Sequence, residues 1–220
     1  MRKDRSKSPD LVSRIFALAL LVSLSVAVPS PGAAPGSVSV DSLRAHPELD
    51  PESGWELIGK PAREFRFARW LRTAPLTPAD LRGKVVLIRF WTDECRFCRN
   101  TLPAVEALRT RWADRGLVVL GAYHPNEPAA VQDTTVLRWA NQLGFGGPIA
   151  VDERWDTLRH WWLDGHPDRN WVSVSFLLDR DGVVRWVHGG GEYHPTDDPR
   201  HHACDVSYAK LERVIDDLLH

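Results

Sequence analysis

The chain is short of cysteine, of lysine and of any apolar run long enough to cross a bilayer, and the first and last of these shortages each remove a class of protein. Three cysteines in 220 residues, Cys95, Cys98 and Cys204, cannot supply the several bridges that hold small secreted scaffolds together. Stability must therefore come from a hydrophobic core, for which an apolar fraction of 43% is sufficient. Only Lys3, Lys7, Lys60, Lys84 and Lys210 are lysines. A biased genome explains this as well as a need for guanidinium groups, so no function is drawn from it. The 28 basic residues are balanced by 29 acidic ones, for a formal net charge of −1. No basic surplus exists to neutralise a phosphate backbone or to hold the chain on an anionic membrane, and nucleic acid is not expected as a partner.

At the N-terminus, Arg2, Lys3, Arg5, Lys7 and Arg14 precede an apolar run from Ile15 to Val28, after which small residues and prolines take over. This is the order of a secretory signal. The run is shorter than the ~20 residues that span a bilayer, and Ser23 and Ser25 weaken it further. Ser25 and Ala27 supply the small-x-small pair for cleavage after Ala27; an uncleaved anchor is the alternative, and it leaves the chain on the same side of the membrane. No cysteine follows the run, so a lipoprotein anchor is not supported. Residues 1–28 thus read as a signal peptide, 29–53 as a Pro/Gly/Ala/Ser-rich linker, and 54–220 as one folded domain. The expected location is the periplasm or the outer face of the cytoplasmic membrane, and the expected state is a monomer.

Within the domain, Glu64-Phe65-Arg66-Phe67 alternates like a half-exposed strand, and Thr77 to Lys84 supplies a helical turn with a glycine stop. Val85 to Trp91 is nearly all apolar, as in a strand buried on both faces. A helix is predicted from Cys95 through Trp112, with Leu102, Val105, Leu108 and Trp112 at helical spacing. Then come a strand over Leu117–Tyr123, a helix over Val131–Leu143, a short strand over Ile149–Val151 and a helix over Glu153–Trp162. Val174–Leu178 and Val183–His188, joined by Asp179-Arg180-Asp181-Gly182, read as a β-hairpin with an Asp-Gly turn. A last helix covers Ser207–Leu219. The alternation predicts an α/β fold: a mixed central sheet flanked by helices.

The chemistry sits at Cys95-Arg96-Phe97-Cys98. A strand feeding a short loop puts Cys95 at a helix N-terminus, where unpaired N–H groups and the macrodipole favour an anion and lower the thiol pKa from ~8.5. Two intervening residues place Cys98 one turn on, in reach of a mixed disulfide formed at Cys95. Zinc binding by this pair would need a second Cys or His pair at knuckle-like spacing, which the chain does not offer. An inert disulfide is the other bland alternative, and the strand–CxxC–helix context favours redox work. No cofactor and no metal site are expected.

Several segments together carry a resemblance to a known family: Gly59-Lys60-Pro61, Leu81-Arg82-Gly83-Lys84-Val85-Val86-Leu87, Phe90-Trp91 with Cys95 to Arg99, Leu102-Pro103, and Phe176-Leu177-Leu178-Asp179-Arg180-Asp181-Gly182. Over about Gly54 to Leu219 the chain resembles the extracytoplasmic TlpA/ResA branch of the thioredoxin superfamily, a redoxin-like domain. The resemblance implies a thioredoxin-like fold with an N-terminal hairpin extension. It also implies catalysis by Cys95 and Cys98 on disulfide-bearing protein clients as a reductase, with electrons from a membrane-embedded donor.

Four positions depart from the family pattern. Glu94 and Phe97 stand where members usually carry Trp before the first cysteine and Pro before the second. Ser173 stands where a cis-proline usually faces the pair, which leaves room for altered substrate choice and for a metal at the cysteines. Arg89 replaces a buried carboxylate or amide; pointing under the site it would favour a thiolate, and its bland alternative is an ion pair with Asp93. Stabilising the thiolate makes the disulfide a stronger oxidant, while Asp93 and Glu94 oppose that, so the residues themselves leave the direction of electron flow open.

His124 follows a predicted parallel strand, where ligands of open α/β sheets gather, and could exchange protons near Cys95; a local hydrogen bond is the alternative. Glu192 and Tyr193, after Gly189-Gly190-Gly191, either edge the site or form a plain loop. His194, His201, His202 and Cys204 crowd one segment, but at a spacing that matches no metal motif, so a solvated loop with a spare thiol is expected. The ten tryptophans read mostly as core, with some available as an apolar rim for an unfolded client. Two rival functions remain: a peroxiredoxin-like peroxidase, because Thr92 lies three residues before Cys95, and a metal or cytochrome-maturation chaperone using the cysteines and a histidine.

Overall fold

In a computed structural model that describes residues 54–167, 169 and 171–220, the strands are β1 (Arg69–Leu71), β2 (Val85–Trp91), β3 (Leu117–Tyr123), β4 (Ile149–Val151), β5 (Ser175–Leu178) and β6 (Val184–His188). The signal and linker expected over residues 1–53 lie outside the described residues. The helices are α1 (Cys98–Trp112), α2 (Asp133–Gln142), α3 (Asp156–Leu158), which runs on into a π turn over Arg159–Leu163, and α4 (His202–Leu219). All six strands join one sheet in the order β1-β4-β3-β2-β5-β6. β2, β3 and β4 are parallel, and β1, β5 and β6 each oppose their neighbour. This is the expected mixed α/β sheet.

Because β2 is paired on both sides and covered on both faces, all seven of its residues are buried, which is why its sequence is continuously apolar. Val86, Leu87, Ile88 and Phe90 are each 1% exposed or less, and burial of such side chains stabilises the fold by about 1.5–3 kcal/mol each. Arg89 is the exception in kind. It lies level with Gly121 on β3 and Ser175 on β5, so the three share one face of the sheet. Gly121 is needed for close packing there: a Cβ would lie 2.7 Å from the Phe145 ring and 3.0 Å from the Trp91 indole nitrogen.

The elements differ from expectation at their ends, for local reasons. α1 begins at Cys98, not Cys95, because the Cys98 N–H closes a tight turn on the Cys95 carbonyl (3.1 Å) and the first helical bond runs from Thr101 N to Phe97 O (3.2 Å). α3 begins at Asp156 because Trp155 takes a left-handed conformation, φ 63°, just before it. α4 begins at His202, ahead of Ser207, because Asp198 accepts from the Arg200 N–H at 2.9 Å and starts a 3-10 turn that feeds it.

Among the described residues no N-terminal hairpin is formed. Residues 59–62 pair instead with the start of β6, through Gly59 N to Val184 O and Ala62 N to Gly182 O, both 2.8 Å. β1 pairs with β4 at the opposite edge. The sheet has two open edges, and each extended segment satisfies one of them rather than its neighbour in sequence. The strand expected over Glu64–Phe67 is likewise absent: the Arg66 N–H is spent on the Thr157 hydroxyl (2.8 Å), and β1 starts later, at Arg69.

Candidate active site

β2 ends at Trp91, and Thr92, Asp93 and Glu94 carry the chain across the carboxyl end of the sheet to Cys95, three residues before the start of α1. The Cα atoms of Cys95 and Cys98 are 5.3 Å apart and the two sulfurs are joined as a disulfide. The pair is unequal. Cys95 is half-buried and within reach of a partner, whereas Cys98 is fully buried.

Among the described residues, every group hydrogen-bonded to the two sulfurs is, or can act as, a donor. The Cys98 N–H donates to Cys95 Sγ at 3.1 Å. The Ser173 hydroxyl lies 3.2 Å from Cys95 Sγ and 3.7 Å from Cys98 Sγ. Arg89 Nη2 approaches Cys98 Sγ at 4.0 Å from below. Donors aimed at a sulfur favour its anion, so the reduced pair is set up to hold a thiolate.

Arg89 is fully buried, and its guanidinium donates to the carbonyls of Ser173 (2.6 Å) and Gly191 (2.9 Å) and lies 5.5 Å from the centre of the Tyr193 ring. Burial pushes its pKa down, with Tyr193 and Glu192 pulling the other way, but a guanidinium stays charged at neutral pH. Among the described residues no carboxylate pairs with it. Asp93 accepts instead from the Thr92 hydroxyl at 3.0 Å, so the ion-pair alternative for Arg89 does not hold. The charge is positioned under the site.

The other candidates divide. His124 is fully buried, with Nδ1 3.0 Å from the Pro125 carbonyl and its ring edge-on to Trp155. Burial holds its pKa down to about 4, although the Pro125 and Val172 carbonyls favour the protonated ring, so it is neutral at pH 7 and makes the local hydrogen bond of its bland alternative. Glu94 is exposed and makes no hydrogen bond or ion pair among the described residues. Phe97 packs edge-on against Trp171, which is 48% exposed, at 5.6 Å, giving an apolar rim beside Cys95.

Sequence reasoning missed Ser175, whose hydroxyl bonds the Tyr193 hydroxyl at 2.8 Å beneath Arg89, and His188, whose ring lies 4.9 Å from that of Tyr193. Burial and the Arg89 charge push His188 down to about 3. No sequence signal marks Ser175, which meets Arg89 only through the register of β5 on β2. Away from the pair, the structure brings His194, His201 and Cys204 together with Glu192, and leaves His202 exposed and outside the group.

Compared with known proteins, residues 58–187 match the AhpC/TSA family. The chain belongs to the AhpC/TSA family. Among relatives of this AhpC/TSA chain, the thiol:disulfide interchange protein DsbE of Pseudomonas aeruginosa is 32% identical over 143 residues, 62% of this chain and 69% of that one. The thiol-disulfide oxidoreductase ResA of Bacillus anthracis is 28% identical over 127 residues, 58% of this chain and 66% of that one. Protein DipZ of Mycobacterium tuberculosis is 30% identical over 163 residues; the match takes in 74% of this chain but only 21% of DipZ. The structure of a putative DsbE from Chlorobium tepidum superposes with a TM-score of 0.56 at 22% identity, over 74% of this chain and 98% of that one, which establishes the thioredoxin-like fold. The ResA and DsbE relatives carry thiol-disulfide oxidoreductase and interchange names, and this chain holds its CxxC pair as a disulfide in the thioredoxin-like fold.

Proposed function

We propose that the chain is an exported enzyme that exchanges dithiols and disulfides with protein clients, Cys95 making the mixed disulfide and Cys98 resolving it. In the reducing direction, the Cys95 thiolate attacks one sulfur of a client disulfide. The client S–S bond breaks and the released client thiolate takes a proton from solvent. Cys98, as thiolate, then attacks Cys95 Sγ, the mixed disulfide breaks, and the second client sulfur leaves, so that two electrons pass to the client and the Cys95–Cys98 disulfide remains. The observation that carries this reading is the inequality of the pair: a reachable sulfur held by the Cys98 N–H and the Ser173 hydroxyl, and a buried one over Arg89. The rim of Phe97 and Trp171 offers an unfolded client an apolar surface beside Cys95.

The N-terminal charged–apolar–small pattern supports export to the periplasm or the outer face of the cytoplasmic membrane, and among the described residues no helix is long and apolar enough to cross one. There, electrons come from a membrane-embedded donor. A peroxidase is disfavoured by Thr92, whose hydroxyl turns to Asp93 and Asn126 (3.0 and 3.3 Å) and not to Cys95. Reduction of clients is the direction implied by the family resemblance, and Arg89 works against it by favouring the reduced enzyme. The reduction potential decides: a value near −270 mV, as in thioredoxin, supports a reductase, and one near −120 mV, as in DsbA, makes the enzyme an oxidant. The activity itself is tested with Cys95→Ser and Cys98→Ser, each of which should bring insulin-disulfide reduction to background. Unchanged rates in both overturn the assignment, and Cys98→Ser should accumulate clients as mixed disulfides.

A further inference from the structure

We propose that Glu192, His194, His201 and Cys204 form a binding site for a zinc-class divalent metal ion, apart from the Cys95–Cys98 pair. The four come from three successive pieces of chain: Glu192 and His194 from the segment after β6, His201 from the 3-10 turn before α4, and Cys204 from the first turn of α4. Folding brings one ligand atom from each to within 4.8 Å of all the others.

Three of the six spacings lie close to those around one ion, with one or other oxygen of Glu192. Tetrahedral zinc with bonds of about 2.0–2.1 Å to nitrogen or oxygen and about 2.3 Å to sulfur holds its ligand atoms about 3.3–3.6 Å from one another. Here Glu192 Oε1 lies 3.2 Å from His201 Nδ1, Cys204 Sγ lies 3.7 Å from His201 Nδ1, and His194 Nε2 lies 3.8 Å from Glu192 Oε2. Small side-chain shifts close the remainder.

Neighbouring groups prepare the ligands. His194 Nδ1 is 3.2 Å from the Pro195 carbonyl; a proton donated there leaves the lone pair on Nε2. That nitrogen is buried and has no hydrogen-bond partner, in a side chain only 13% exposed. A buried acceptor with nothing to accept is a cost unless a cation sits against it. Glu192 Oε2 accepts from the Asn100 side chain at 2.9 Å, which steadies the carboxylate as a supporting hydrogen bond does in metal centres. One thiolate, two imidazoles and one carboxylate suit a borderline-soft ion, whereas calcium and magnesium want oxygen alone. Binding deprotonates Cys204, its proton passes to solvent, and the thiolate and carboxylate together neutralise the 2+ charge.

The test uses the full mature chain with Cys95–Cys98 oxidised, so that the disulfide cannot act as a ligand. Titration with Co²⁺ should give the visible bands of tetrahedral cobalt and a thiolate-to-cobalt charge-transfer band, both removed by Zn²⁺. Cys204→Ser should abolish the charge-transfer band, and Cys204→Ser or His194→Ala should weaken Zn²⁺ binding by more than about 100-fold, since even supporting residues of metal sites are worth 10–100-fold. His202→Ala should change nothing. In the unaltered protein, Zn²⁺ should protect Cys204 from alkylation, a readout that needs no variant to fold. No bands in the unaltered protein, a charge-transfer band that survives Cys204→Ser, or alkylation indifferent to Zn²⁺ would each overturn the site.

Discussion

The chain holds cysteine in two settings whose neighbours have opposite polarity. Around Cys95 and Cys98 stand a backbone N–H, a hydroxyl and a guanidinium, all able to donate. Around Cys204 stand a carboxylate and two imidazoles, which offer lone pairs once the ring nitrogens facing the thiol are unprotonated. Burial and the Glu192 charge push the Cys204 thiol pKa up. The same atom is therefore prepared for different chemistry: with donors it becomes an anion free to attack, and with acceptors it awaits a cation before giving up its proton. Residue type does not separate a redox cysteine from a ligand cysteine; the sign of what faces it does.

The largest expected effect breaks the comparison directly. Cys95→Ser should remove insulin-disulfide reduction, while Cys204→Ser should leave its rate within twofold of the parent in metal-free buffer. Loss of activity in both variants would mean that the two settings are one site. Next, Arg89→Met takes the buried charge from beneath Cys98. The thiolate loses stabilisation, and at about 30 mV per pKa unit the couple should become about 30–60 mV more reducing when equilibrated with glutathione. A potential that does not move removes Arg89 from the redox centre.

A third effect concerns His124, buried on the redox side. Its folded pKa of about 4 lies below the ordinary 6.5, so the folded state binds fewer protons, and its contribution to stability is present above pH 6.5 and lost as pH falls towards 4. At pH 5 this amounts to about 2 kcal/mol relative to pH 7. Asp152 opposes it: burial raises its carboxyl to about 6, so its contribution grows as pH falls from 6 towards 3.8. On going from pH 7 to pH 5, His124→Gln should therefore gain stability relative to the parent by about 2 kcal/mol, and a pH dependence equal to the parent's refutes the assignment. The smallest effect is that of Ser173→Ala, which removes one donor from Cys95 and should raise its thiol pKa by about one unit, read from the pH dependence of alkylation.

Much of the redox centre was legible in the sequence because it is nearly contiguous: a strand of seven buried residues, a short loop and a helix fix where Cys95 and Cys98 fall, whatever the rest of the chain does. Arg89 was legible as an oddity, a charge in an apolar strand, but its target was not, because Asp93, four residues on, is nearer in sequence than Cys98, nine residues on. Burial with no carboxylate to pair with decided between them. The missing hairpin has the same origin: local alternation suggests extended chain, and only the positions of the two open sheet edges determine what that chain pairs with.

By itself, then, the sequence determined the α/β alternation, the central strand and the pairing of Cys95 with Cys98, all of which rest on side chains within one or two turns of each other. The tertiary structure alone decided that Ser173, 78 residues along the chain from Cys95, touches both sulfurs, and that Glu192 joins His194, His201 and Cys204. Those contacts depend on how β5 registers against β2 and how the segment after β6 returns to α4, and packing of the whole domain sets both, with no local pattern to announce them.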